Sequence, residues 1–227
     1  MKHFAHAIAL VALVAAGCGG ETQTASADET ASPATEASVD GSVERSAYET
    51  ATDMAIGDPA APVTIIEYAS VTCSHCATFH SSTFKDLKAK YVDTGKVRFV
   101  FREFPTAPAP LSAAGFLLAR CVGDERGAKG YFAVIDALFK RQADWAFGKD
   151  PRGELLKIAA EAGVDEPEFE ACIRDEDNIA QLRETAATAQ QEFKIAATPS
   201  FVMNGEPLSA RTIEQFDEAI APLLPAE

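Results

Sequence analysis

Val63-Thr64-Ile65-Ile66-Glu67-Tyr68-Ala69, followed by Ser70-Val71-Thr72-Cys73-Ser74-His75-Cys76, carries the strongest structural signal in the chain. The first seven residues are mostly β-branched or aromatic, which suits a buried strand. Beyond the two cysteines, Phe79, Thr83, Leu87 and Tyr91 recur near helical spacing. Lys96 to Phe104 then alternates charged and apolar residues and predicts a second strand. Strand, helix and strand in this order predict a parallel crossover.

Cys73 and Cys76 lie just after the first strand and open the helix. A helix N-terminus presents free amide N–H groups and the positive end of the dipole, so a thiolate at Cys73 is stabilised there. Such motifs have attacking cysteines with pKa values of about 3.5 to 7.5. Cys73 is therefore the expected attacking sulfur. Cys76, one turn on and more buried, is placed to resolve a mixed disulfide by attacking Cys73. A protonated His75 between them adds positive charge, which stabilises the reduced form and makes the disulfide more oxidising. Two blander readings compete with redox chemistry. A structural metal site needs four ligands, and only His80 is a further candidate nearby, with no second Cys-x-x-Cys in the chain. A purely structural Cys73–Cys76 disulfide is the other. His80 itself reads as a surface helix residue.

Outward from this core, Pro105, Pro108 and Pro110 mark a turn into a long stretch without a convincing strand, from about residue 111 to 195. Phe132, Ile135, Leu138 and Phe139 form one helical stripe, and Leu155, Leu156 and Ile158 contribute to another. Trp145, Phe147 and Phe132 read as helical core. Asp165-Glu166-Pro167-Glu168 has the signature of a helix start. Strands resume at Ser200-Phe201-Val202-Met203, turn at Asn204-Gly205 and return through Pro207-Leu208. Ile213, Phe216, Ile220 and Leu223 line a final helix. No internal repeat is present.

A strand, Cys-x-His-Cys at a helix start, a helical insertion and then Ala197-Thr198-Pro199-Ser200-Phe201-Val202 together resemble the DsbA-like thiol:disulfide oxidoreductases of the thioredoxin superfamily. The resemblance covers residues 54–227. It implies an α/β thioredoxin fold with an inserted helical domain at about 106–195. It also implies that Pro199 is a cis-proline packed against Cys73, with the Thr198 backbone pairing with extended substrate. Glu67 matches the buried acid below the active site of such folds. A charged residue in an apolar strand is already suspicious, and its expected work is proton relay to and from Cys76, with a structural carboxylate as the alternative. The implied substrates are reduced or unfolded exported proteins, and the implied partner is a membrane protein, quinone-linked, that reoxidises the pair. No organic cofactor is expected, because the cysteine pair is itself the redox centre. Ser74 stands where the best-known oxidases have proline, and Thr198 where they have valine. Both bear on the potential, and threonine also occurs in isomerase relatives, so a reductase or isomerase is the rival within the class. A noncatalytic tethered module that binds polypeptide or metal is the rival outside it.

The first residues complete the organisation. Met1-Lys2-His3, an apolar run from Phe4 to Ala16 and small residues at its end describe a secretory signal at 1–17, too short to span a bilayer. Ala15-Ala16-Gly17-Cys18 resembles a bacterial lipobox, which implies a lipidated Cys18 and an envelope or periplasmic location; simple export is the alternative. From Glu21 to Asp53 there are eight acids and one base, a net charge of −7, with few apolar residues. Residues 18–53 are therefore expected to form a disordered acidic linker, too polar to be a dimerisation domain, which favours a monomer. This segment holds half of the chain's net charge of −14. An acidic chain argues against nucleic-acid binding. Cys121 and Cys172, the last of five cysteines, are 51 positions apart in the helical block and are a candidate structural disulfide in an oxidising compartment.

Overall fold

The computed structural model describes residues 46–225. The signal at 1–17, Cys18 and the linker up to residue 45 lie outside the described residues. Five strands form one sheet in the order β1-β3-β2-β4-β5: β1 Met54–Ile56, β2 Val63–Ala69, β3 Val97–Glu103, β4 Ser200–Met203 and β5 Glu206–Leu208. β2 and β3 are parallel, and every other neighbouring pair is antiparallel. The parallel pair is joined through α1 (Ser74–Ser81), α2 (Thr83–Leu87) and a π-helical turn at Lys88–Val92. Between β3 and β4 lie five helices: α3 Ala109–Lys140, α4 Gln142–Trp145, α5 Pro151–Glu161, α6 Glu166–Cys172 and α7 Glu176–Glu192. α8 (Ile213–Ile220) follows the β4–β5 hairpin. Among the described residues no helix is long and apolar enough to cross a membrane.

β2 is buried along its whole length, as expected of a central strand covered on both faces. Successive side chains point to opposite faces. Val63, Ile65 and Ala69 join the larger core with Cys76 and Phe79, whereas Ile66 and Tyr68 join a smaller core that includes Ala189 of α7. Glu67 has the parity of the first set, so the strand delivers its carboxylate to the face covered by α1. The register seats it between Phe101 of β3 and Phe201 of β4. The β4–β5 turn has Asn204 at φ 47° and Gly205 at φ 85°, the two positive angles that a two-residue hairpin loop of this twist requires. Asp165 and Glu168 form a reciprocal capping box at the start of α6.

Residues 46–53 depart from the expected linker. Glu49 takes two hydrogen bonds from Arg98 at 3.0 and 3.1 Å, and Asp53 takes two from Arg102 at 2.9 and 2.7 Å. Their acids look solvated when read alone. The arginines of β3 that neutralise them read, equally alone, as the exposed face of a strand. In the fold these polar positions meet each other, so the ordered unit begins by residue 46. Trp145 is fully buried and its indole N–H donates to the Leu138 carbonyl at 2.7 Å. Phe147 is not core, being 59% exposed. Cys121 on α3 and Cys172 on α6 are joined in a disulfide.

Candidate active site

Cys73 is the N-cap of α1, with an extended backbone, and its sulfur accepts a hydrogen bond from the Cys76 amide at 3.3 Å. The first turn of α1 carries no acidic residue, which leaves its positive end free to act on the sulfur. Hydrogen bonding from the Cys76 side draws the Cys73 pKa down to about 5, against the partial burial of the sulfur, with further help from Thr198 and the His75 amide. At pH 7 such a group has roughly a hundred thiolates for each thiol. Cys76 behaves oppositely. It is fully buried, and desolvation, the hydrogen bond with Cys73 and the charge of Glu67 all push its thiol upward. Both sulfurs are free thiols, so this is the reduced form.

The loop that presents Cys73 is held by polar side chains. Gln142 of α4 donates to the carbonyls of Val71 (2.8 Å) and Cys73 (3.0 Å). The buried Ser70 hydroxyl meets Thr72 at 3.0 Å and Ser112 of α3 at 2.9 Å, and accepts from the Thr106 amide at 3.2 Å. Across from it, the Thr198–Pro199 peptide is cis, and the Thr198 carbonyl accepts from the Cys73 thiol at 3.3 Å. A groove of about 470 Å³ runs beside α1 and this turn, lined by His75, Thr78, Phe79, Thr198, Pro199 and Arg211. His75 is exposed on the groove, next to the sulfur pair.

Beneath the pair, Glu67 is wholly buried. One carboxylate oxygen, Oε2, is 2.7 Å from His80 Nε2, and the other, Oε1, has no hydrogen-bond partner among the described residues. His80 is not the surface residue that its sequence context suggested. Its side chain is 7% exposed and its ring stacks on Phe139 at 4.3 Å. Helical spacing from Cys76 sets His80 on the face that meets the core, and the charge opposite it sits in another element, out of reach of a local reading. Gln142, Ser70 and Ser112 were also missed, because each acts on the active-site loop through a contact distant in sequence. The structure thus brings together Cys73, Cys76, Glu67, Thr198 and Pro199 at one end of the sheet, with His75 at the rim. Cys121 and Cys172 stand apart from them, as a bond within the helical insertion.

A low-pKa thiolate capping a helix, a buried second cysteine and a facing cis-proline on a sheet with inserted helices define a thioredoxin-fold dithiol site. Residues 49–221 match the thioredoxin family profile, and the chain belongs to that family, with the DsbA-like members. It is 32% identical over 168 residues to a protein of Rickettsia prowazekii named as a protein-disulfide oxidoreductase, covering 74% of this chain and 60% of that one. The chain thus spans about 60% of the length of that relative. Disulfide bond formation protein D of Bacillus subtilis is 24% identical over 166 residues, which is 72% of each chain. The crystal structure of Wolbachia pipientis α-DsbA1 superposes with a TM-score of 0.70 at 29% identity, covering 77% of this chain and 92% of that one.

Proposed function

We propose that this protein is an exported thiol:disulfide oxidoreductase that works as an oxidase, introducing disulfides into reduced or unfolded envelope proteins. The observation that carries this reading is the opposite treatment of the two sulfurs: Cys73 lowered to about 5 at a helix N-terminus, Cys76 buried and pushed upward. A stabilised Cys73 thiolate favours the reduced pair, and a pair that favours reduction is a strong oxidant of other thiols.

In the reaction, a substrate thiolate attacks Cys73 Sγ of the Cys73–Cys76 disulfide. The Cys73–Cys76 bond breaks, a substrate–Cys73 bond forms, and Cys76 leaves and takes up a proton. A second substrate thiolate then attacks the substrate sulfur of the mixed disulfide. Cys73 leaves as the thiolate, two electrons now reside on the pair, and the substrate carries the new disulfide. Low basicity makes Cys73 a good leaving group in this last step. Glu67 supplies and receives the Cys76 proton, a function supported by its burial and its electrostatic hold on Cys76. Thr198 and Pro199 orient the substrate chain along the groove, and His75 adds positive charge at the rim. The reduced pair is returned to the disulfide by a membrane partner. Export and lipidation at Cys18 rest on the N-terminal sequence, and the Cys121–Cys172 bond suits an oxidising compartment.

The redox equilibrium of the Cys73–Cys76 pair with glutathione tests the reading, together with refolding of reduced ribonuclease. The oxidase assignment requires a potential well above thioredoxin's value of about −270 mV. A value near thioredoxin's makes the protein a reductase. Refolding activity that survives Cys73→Ser makes it a noncatalytic binding module.

A further inference from the structure

We propose that His80 is the residue through which the buried Glu67 exchanges its proton with solvent, so that Cys76 is served by a two-residue relay. This rests on the reading of Glu67 as the proton partner of Cys76 and adds the next link.

A buried carboxylate that serves a buried thiol must itself be reloaded. Glu67 has no direct route, because the residue is fully buried and lies between Phe101 and Phe201 in the sheet. Its two oxygens differ. Oε1 is buried with no partner among the described residues, and Oε2 is committed to His80 at 2.7 Å. A carboxyl–imidazole contact of that length holds one transferable proton, on the oxygen or on the ring nitrogen. The imidazole is gripped by aromatic rings, with Phe139 stacked at 4.3 Å, Phe84 at 4.6 Å and Phe79 edge-on at 5.5 Å. Among the described residues, its only hydrogen bond is that between Nε2 and Glu67 Oε2. His80 also lines a small cavity of about 50 Å³ with Ala77, Ser81, Lys85, Asp136 and Lys140. Ser81, Lys85, Asp136 and Lys140 are exposed, so this cavity has a wet rim. Histidine is suited to the task, since one ring nitrogen takes a proton while the other gives one up.

When a substrate thiolate opens the Cys73–Cys76 disulfide, Cys76 leaves as a thiolate and takes a proton from Glu67. His80 passes its Nε2 proton to Glu67, and Nδ1 takes one from water. Reoxidation runs the path backward, and the proton leaves by the same nitrogen. The charged groups facing His80 are Glu67 from β2, Lys85 from α2, and Asp136 with Lys140 from α3. Asp136 and Lys140 pair with each other at 2.5 Å in solvent, which leaves the buried carboxylate as the dominant field on the ring.

The test follows the rate at which oxidised protein is opened by dithiothreitol between about pH 5 and 8, after correction for the thiolate of the attacking reagent. Wild-type protein should show an ionisation that His80→Gln removes, and the variant should be about tenfold or more slower at the acid end. The pH profile of Cys73 alkylation should be the same in both proteins. A His80→Gln profile that superimposes on wild type overturns the proposal. Glu67→Gln separates the two levels: if it is slow while His80→Gln is not, only the His80 link fails, and if neither is slow the Glu67 relay fails with it. Should His80→Gln not fold, ¹⁵N-histidine spectra of the wild-type chain decide. The His80 tautomer should differ between the disulfide and dithiol forms, and an identical tautomer in both overturns the proposal.

Discussion

Thr198 meets the Cys73 sulfur with two groups of opposite preference. Its carbonyl oxygen accepts the thiol proton at 3.3 Å and favours the neutral form, whereas its side chain helps draw the Cys73 pKa down and so favours the thiolate. The backbone oxygen is present whatever residue precedes Pro199, and the hydroxyl is specific to threonine or serine. Thr198→Val should therefore raise the Cys73 pKa from about 5 and lower the redox potential of the Cys73–Cys76 pair. Loss of one polar side-chain influence on a partly exposed sulfur corresponds to about tenfold in the ionisation equilibrium. Thiolate absorbance across a pH titration of the reduced variant measures this. An unchanged midpoint would show that the helix end alone sets the value.

The two sulfurs give the reduced protein a pH-dependent stability that the disulfide form lacks. Cys73 has a folded pKa near 5, below the value of about 8.5 for an unfolded cysteine. An acid depressed in this way contributes stability that is fully present above about 8.5 and is lost as pH falls toward 5. Cys76 is raised instead, so its contribution is lost as pH rises above about 8.5. Stability of the reduced form relative to the oxidised form should thus climb from pH 5 to about 8 and then stop climbing. Near pH 7 the gain over pH 5 should be about 1–2 kcal/mol, allowing for solvent on the partly exposed Cys73. Paired denaturant titrations of the two redox forms check this. A difference that is flat with pH would contradict the low Cys73 value.

Much of this site was legible because its signals are local. Cys73 and Cys76 are three positions apart, the strand before them is mostly β-branched or aromatic, and Asn204-Gly205 announces its own turn. What was illegible is whatever depends on two elements meeting. His80 looks like any polar residue on a helix until β2 places Glu67 opposite it. Glu49 and Asp53 look like linker until Arg98 and Arg102 of β3 arrive. Gln142 has no local pattern at all, yet it holds two carbonyls of the active-site loop. Phe147 fails in the other direction: an aromatic two residues from the buried Trp145 reads as core, but it falls beyond the end of α4 and faces solvent.

The Cys121–Cys172 bond closes a loop with a sequence separation of 51, tying α3 to α6. Cross-linking such a loop removes conformational freedom from the unfolded chain, worth about 4 kcal/mol in the chain-entropy account. Cys121→Ala with Cys172→Ala should therefore lower stability by about 2–4 kcal/mol. It should leave the Cys73 titration and the refolding of reduced ribonuclease at 25 °C unchanged, because the bond ties two helices of the insertion and makes no hydrogen bond to Cys73 or Cys76. Loss of activity in a folded double variant would instead give this bond a place in the redox chemistry.

A buried charge cluster joins the sheet to the helical insertion and sets its tolerance to mutation. Glu103, at the end of β3, is fully buried and accepts from Arg120 and from the Tyr131 hydroxyl, each at 2.7 Å. Arg120 and Tyr131 both belong to α3, on either side of the break at Gly127, where φ is 66°. The arginine also reaches the Thr52 carbonyl at 3.3 Å, so one side chain joins β3, α3 and the segment leading into β1. Burial and the Glu103 charge hold the Tyr131 phenol well above its ordinary range, which keeps it a proton donor. Ion pairs this deep are costly to break by halves, because the surviving charge is left without a partner. Arg120→Met should destabilise the protein by about 3–5 kcal/mol, and adding Glu103→Gln should recover a large part of that loss. Denaturant midpoints of the single and double variants, read as a thermodynamic cycle, measure the coupling. Additive losses would mean that the two charges are not coupled and that the cluster's value lies in shape and volume.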